Sequence, residues 1–304
     1  MSKSKSLFSL LQTLSTKQEC IDYFEKLRWN GKVISPFDPT SQVYKCKNNQ
    51  YKCKNTGKYF NVKTKTVMEN SNIPLRKWLY AFFVFSSDKK GISSYQLAKN
   101  IEITQKSAWF VLNRLRCASN LSLFKNMLKD FVEIDETYVG GSNPNRHWNK
   151  KVPRCRGRSW KDKVPVLVMI ERKGNIITQV VPNVEKNTLE PIIKANIKEG
   201  SNVYTDEWKA YNELHKTYRH QIVNHRIKQY VNGKASTNLA ENFNSHLKRG
   251  LYGTYHQVSK KHLSKYVDEF TMRLNTRKYE EQERFDLVLL ASVGKRLTYQ
   301  ELTN

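Results

Sequence analysis

At 304 residues the chain can bury a sizeable core and can hold two domains, or one large one with an appendage. Its net charge of +26 and pI near 9.8, with Lys and Arg spread through most of the length, point to a polyanionic partner, most often nucleic acid. Five cysteines, an odd number with no close C-x-x-C pair, argue against a disulfide framework and fit a reducing cytoplasm. No apolar run reaches the ~18 residues of a membrane span, and the N-terminal patch lacks the apolar core of a signal peptide.

Residues 1–34 read as a helical lead-in, with Leu7, Leu10, Leu11 and Leu14, then Cys20, Tyr23, Phe24 and Leu27, at helix spacing. Over 35–70 the texture turns to short β pieces, Val43-Tyr44 and Tyr59 to Val62, broken by Asn-Asn and Thr-Gly turns. Seven lysines and no acid lie between Gln42 and Lys65, which makes this a basic hairpin module.

Residues 71–125 carry a helix opened by Pro74, with Leu75, Trp78, Leu79 and Phe82 on one side. Two shorter helices follow around a turn at 101–104. Leu97, Ala98, Ile101, Ile103, Ala108, Val111 and Leu112 form the core of this helix-turn-helix pattern, and Thr104 is placed to cap its second helix. Gln105, Lys106, Ser107, Asn113 and Arg116 are then the candidates to face DNA.

Residues 130–280 alternate differently. Phe131-Val-Glu-Ile-Asp-Glu-Thr-Tyr-Val-Gly-Gly141 reads as a strand carrying acids into a glycine turn. Val132 and Ile134 point one way, and Glu133 and Asp135 the other. Asp135 is expected at the strand's end, with Glu136 on the opposite face. A basic loop follows from Ser142 to Lys163, with eight Lys or Arg against Asp162 alone. Its lack of apolar periodicity suggests mobility until an anion orders it.

Val164 to Ile170 and Ile176 to Val181 form a hairpin, a helix spans 188–197, and Asn202 to Asp206 is a strand ending on another carboxylate. A helix is expected over 208–218, a fifth strand over 220–224, and a helix from Thr237 to about Lys248, started by Ser236 or Thr237. Residues 281–304 form a C-terminal helix with Phe285, Val288 and Leu289 inward. The order predicts an α/β fold, an RNase H-like mixed five-stranded sheet with flanking helices, preceded by the small hairpin module and the helix-turn-helix.

Asp135 and Asp206 are 71 residues apart (206 − 135), and Glu241 follows 35 later (241 − 206). Three acids from two strands and a helix are a donor set for a pair of Mg²⁺ ions, with Mn²⁺ as a substitute. Such hard cations take carboxylate oxygens and can clamp both oxygens of an in-line phosphoryl displacement. Lys248, two turns after Glu241, shares its face and can hold a phosphate beside the metals. The helix's apolar ridge reads as Leu239, Phe243 and Leu247, with Glu241 and Lys248 roughly opposite.

The strand Phe131 to Gly141, Tyr204-Thr-Asp-Glu-Trp-Lys-Ala-Tyr211, Thr237 to Arg249 and Gly253 to Leu263 resemble the successive motifs of ISXO-like DDE transposases of bacterial insertion sequences. Tyr266 to Phe270 and Arg273 to Arg277 resemble that family's closing motif, and Ile73 to Trp78 with the helix-turn-helix resembles its N-terminal half. The resemblance implies that Asp135, Asp206 and Glu241 are the metal-binding triad and Lys248 the associated basic residue. Arg249, His256 and His262 join the candidate DNA contacts.

Two departures stand out. Where relatives often carry the paired C-x-x-C knuckles of a zinc ribbon, this chain has Ser35-Pro-Phe-Asp38 and Cys53-Lys-Asn-Thr56. A degenerate, zinc-ribbon-like shape without zinc is therefore expected. Asn244 stands where relatives often place a tryptophan.

The function expected is transposition of an insertion sequence: binding of double-stranded element ends, the terminal inverted repeats, then metal-dependent cleavage and transfer into target DNA. Work on two ends implies at least a homodimer, and the location expected is the cytoplasm, at the nucleoid. The alternatives are an RNase H-like nuclease or resolvase without strand transfer, and a non-catalytic DNA-binding descendant of a transposase.

Overall fold

The computed structural model describes residues 6–141, 143–153, 155, 159, 161–224, 231–232 and 235–303. It forms two compact units, one of residues 1–120 with 278–304 and one of residues 121–277.

In the first unit, helices α1 (Leu7–Thr13) and α2 (Lys17–Trp29) are divided by a capping box. The Thr16 hydroxyl accepts the Glu19 N–H at 3.2 Å while the Glu19 carboxylate accepts the Thr16 N–H at 2.8 Å. Strands β1 (Val43–Lys45), β2 (Tyr51–Cys53) and β3 (Tyr59–Phe60) make an antiparallel sheet in that order. Tyr51, Cys53 and Phe60 are buried, and Tyr44 and Tyr59 exposed, as alternation across a half-covered sheet requires.

At the first knuckle position the Ser35 hydroxyl, fully buried, accepts the backbone N–H groups of Phe37 and Asp38 at 3.2 and 3.3 Å. At the second, burial raises the Cys53 thiol, but hydroxyls of Ser35, Ser41 and Thr56 outweigh that and leave it at about 6.

Helix α3 (Leu75–Ser87) is apolar over most of its circumference and correspondingly buried. Helices α4 (Ser94–Ile101) and α5 (Gln105–Ser119) are joined by a three-residue turn in which Glu102 takes a left-handed conformation (φ 51°). Thr104 caps α5, its hydroxyl accepting the Ser107 N–H at 3.2 Å.

The second unit is built on β4 (Phe131–Val139), β5 (Val164–Glu171), β6 (Ile176–Val180), β7 (Asn202–Thr205) and β8 (Arg219–Ile222), with α6 (Lys186–Asn196), α7 (Asn238–Gly250) and α8 (Leu263–Asn275). The sheet order is β6-β5-β4-β7-β8. The β4–β5 and β5–β6 pairs are antiparallel, and the β4–β7 and β7–β8 pairs parallel, an RNase H-like arrangement.

Alternation sorts the strands between two cores. Val132, Ile134, Leu167 and Met169 pack with Leu189, Ile193 and Tyr211 on the α6 side, while Val139, Val166, Val168 and Ile170 pack with Phe243, Leu247 and Phe270 from α7 and α8. A close approach joins those two helices: a Cβ on Gly250 would lie 2.0 Å from the Phe270 ring.

Two expectations fail in this unit. The segment 208–218 is two 3₁₀ turns, Lys209–Tyr211 and Leu214–Lys216, rather than one α-helix. Its anchors Trp208, Tyr211 and Leu214 are spaced by three residues, the 3₁₀ period, and Tyr211 and Leu214 are buried at that spacing. Asp135, in turn, does not end its strand, because β4 runs on to Val139.

Part of the basic loop 142–163 (residues 142, 154, 156–158 and 160) lies outside the described residues. In the rest, Asn143 exchanges two hydrogen bonds of 2.9 Å with the Val152 backbone, and the Cys155 thiol donates to Asp162 at 2.9 Å.

After α8 the chain returns to the first unit with α9 (Glu281–Leu290) and α10 (Tyr299–Thr303), where Phe285, Val288 and Leu289 are buried. No described helix is long and apolar enough to cross a membrane.

Candidate active site

The site begins with the register of two parallel strands. Glu133 of β4 lies opposite Tyr204 of β7, so two residues further on Asp135 and Asp206 come level. There β7 has ended and β4 continues, which leaves both carboxylates at an open notch in the sheet. One Asp135 oxygen accepts the Glu136 backbone N–H at 2.8 Å and the other an amide N–H from Asn244 at 2.8 Å. Asp206 accepts the Trp208 N–H at 3.0 Å, and the Trp208 indole donates to the Val184 carbonyl at 2.9 Å.

Glu136 behaves differently from the expectation. Alternation does send it to the face opposite Asp135, where the Tyr211 hydroxyl donates to it. Its carboxylate is nevertheless not remote, because ligand atoms of Asp135, Glu136 and Asp206 all lie within 4.8 Å of one another. Burial, and then the Glu136 charge, push the Tyr211 phenol well above its ordinary range, so it remains a donor.

Glu241 is not a member of that close group. It sits in the first turn of α7, exposed, and accepts a 3.5 Å contact from the Thr237 hydroxyl. The buried stripe of α7 is Ala240, Phe243, Asn244 and Leu247, whereas Leu239 is 43% exposed. That stripe is turned away from the ridge expected through Leu239. At about 100° per residue, Glu241 and Lys248 therefore flank it next to Asn244 instead of lying opposite. Asn244, one turn from Glu241, is the residue through which this side of α7 reaches Asp135.

The anchor of α7 is a residue that sequence reasoning passed over. Thr237 occupies the N-cap position without a side-chain capping bond. The Glu133 carboxylate, only 1% exposed, instead accepts the Leu239 N–H at 2.8 Å, the Ser236 hydroxyl at 3.1 Å and Arg172 Nε at 2.8 Å. A buried anion at a helix N-terminus satisfies an orphan donor and complements the dipole, so it displaces the neutral hydroxyls as the cap. A second acid on the Asp135 face of the strand, two residues before it, was the available signal.

The donor set is all oxygen, from carboxylates on rigid strands, and it suits a hard divalent cation better than a soft one. Asp135, Asp206 and either Glu136 or Glu241 are the residues able to hold it. Arg172, with its guanidinium 4.7 Å from the Tyr204 ring, is already engaged by Glu133.

The expected DNA contacts divide. Lys106 is exposed at the start of α5, with Gln105 and Ser107 half-buried beside it. Gln105 donates to the Ser94 hydroxyl at 2.8 Å. Asn113 and Arg116 are buried, at 0% and 1% exposure, and do not face outward. Both lie in the run of α5 from Val111 to Arg116 that is buried throughout, and Asn113 donates to the Trp109 carbonyl of its own helix at 2.9 Å. Lys248, Arg249 and His256 are exposed and His262 half-buried.

The model of the ISXO2-like transposase domain matches residues 127–275, from just before β4 to the last residue of α8. An uncharacterized protein in the transposable element ISH50 of Halobacterium salinarum is 27% identical over 277 residues, 86% of this chain and 92% of that protein. An uncharacterized transposase-like protein of Haemophilus influenzae is 34% identical over 116 residues, 36% of this chain and 89% of its own length. The solved structures of the Mos1 strand transfer complex and of a pre-cleavage Mos1 transpososome align with 68% of this chain and 75% of theirs. Their identities are 12% and 14%, and their TM-scores of 0.28 and 0.27 are too low to carry the fold. The matched segment encloses every acid of the notch and the helix packed beside it, and this chain belongs to the ISXO2-like transposase family.

Proposed function

We propose that this protein is the transposase of an insertion sequence, and that it cleaves DNA at the element's ends and joins the freed 3′-hydroxyls to target DNA. The observation that carries the reading is the parallel register that brings Asp135 and Asp206 level where β7 stops, with the Glu241 flank of α7 beside them.

Asp135, Asp206 and Glu241 would bind divalent metal, Mg²⁺ first and Mn²⁺ as its substitute. Metal held there would supply Lewis-acid stabilisation to a phosphoryl displacement and would lower the pKa of the attacking hydroxyl. Glu136, on the other face and tied to Tyr211, helps shape the notch rather than completing the triad. Lys248 holds a phosphate of the scissile strand, and Arg249, His256 and His262 extend that contact along the backbone. Lys106, with Gln105 and Ser107, presents the α5 N-terminus to duplex DNA. Two element ends processed together call for at least two copies of the chain.

The test uses the full chain, Mg²⁺, and a duplex carrying the repeats that flank its gene, with a plasmid as target. A covalently joined product is expected. Nicked donor without joined product would assign the protein to the nucleases instead.

A further inference from the structure

Asn244 combines a bond to Asp135 with an unmatched end of the same amide. It is 7% exposed, lies within the buried stripe of α7, and its amide nitrogen donates to Asp135 Oδ2 at 2.8 Å. An ionised carboxylate only accepts, so the amide must turn its nitrogen to Asp135 and its carbonyl oxygen away. That oxygen, Oδ1, is buried and has no hydrogen-bond partner among the described residues. Leaving a buried carbonyl oxygen unmatched is costly, so a polar partner is expected where it points. It belongs to the amide whose nitrogen is bonded to Asp135, itself one of the close oxygen set of Asp135, Glu136 and Asp206.

We propose that Asn244 is a positioning residue of the metal site, acting through both ends of its amide. The N–H fixes the plane of the Asp135 carboxylate, whose other oxygen is held by the Glu136 N–H at 2.8 Å. The carbonyl oxygen offers a neutral acceptor to which a water on a divalent cation held by Asp135 would donate. A neutral oxygen is suited to this place, since another carboxylate in contact with Asp135 would raise the proton affinity of both. The proposal rests on the reading of Asp135 as a metal ligand.

The test is Mn²⁺ binding to the full chain by titration calorimetry, with thermal melting as the control for folding. Outer-shell partners of metal ligands are worth roughly 10- to 100-fold in affinity, so Asn244→Ala is expected to weaken Mn²⁺ binding by at least ~10-fold with little change in melting temperature. Asn244→Trp offers an indole N–H but no acceptor, so it is expected to fall between Ala and the wild type. Asn244→Ala binding Mn²⁺ within about twofold of wild type would overturn the proposal. Asn244→Trp matching wild type would overturn the part assigned to Oδ1. Asp135→Asn is measured alongside; if it binds Mn²⁺ like wild type, the metal-site reading itself has failed, and this inference with it.

Discussion

Replacing Glu133 by Ala tests whether a strand carboxylate anchors the helix that completes the site. The side chain is 1% exposed and accepts three hydrogen bonds, from the Leu239 N–H, the Ser236 hydroxyl and Arg172. Removing one partner of a buried ion pair costs about 3–5 kcal/mol. Arg172 keeps 26% of its side chain in solvent and can rehydrate, which moves the expectation to about 3 kcal/mol, including ~1 for the lost cap.

Against a typical total of about 5–15 kcal/mol this is a large fraction. Urea denaturation followed through unit 2 measures it, and hydrogen exchange locates it, since protection should fall first in the opening turn of α7. Arg172→Ala in the Glu133→Ala background should cost much less than in the wild type, because the guanidinium has already lost its partner. If Glu133→Ala loses less than about 1 kcal/mol and the α7 amides keep their protection, the anchoring argument is wrong.

Two further outcomes are expected. His220 has its pKa depressed to about 4, by burial first and then by the nearby His215 charge. The unfolded chain therefore binds more protons than the folded one between about pH 4 and 6.5. Stability should be lost as pH falls through that window, by up to about 3 kcal/mol, and a matched denaturation series on His220→Gln should show a shallower slope. An identical slope in the variant would remove His220 from the account. In metal-dependent cleavage, Glu241→Gln should abolish activity while Glu136→Gln keeps most of it. The reverse order would make Glu136, already within 4.8 Å of both aspartates, the third acid.

The five strands in chain order and the carboxylate just after β7 were legible because alternation and terminal acids are local signals. What escaped depended on neighbours. Asp135 stands at an opening although it is not at a strand end, because the opening is set by where β7 stops. The α7 stripe was misread because Ala240 is weakly apolar yet 0% exposed, while the larger Leu239 is half outside. That shift of face puts Glu241 and Lys248, both exposed, on the Asn244 side of the helix.

Asn113 and Arg116 look like outward DNA readers by residue type, but their helix is enclosed on most sides. The turns after β7 carried a visible clue in the three-residue spacing of Trp208, Tyr211 and Leu214. For Glu133 the local pattern shows only a second acid on the Asp135 face; its partner, a helix that begins 105 residues later (238 − 133), is set by the fold.

The most direct test of the central claim is Mg²⁺-dependent cleavage of element-end DNA by the full chain carrying Asp135→Asn. The side chain keeps its size and can still meet Asn244, but it loses the charge that binds metal. Cleavage is predicted to fall to background while DNA binding and melting temperature stay close to wild type. Cleavage at the wild-type rate would contradict the account.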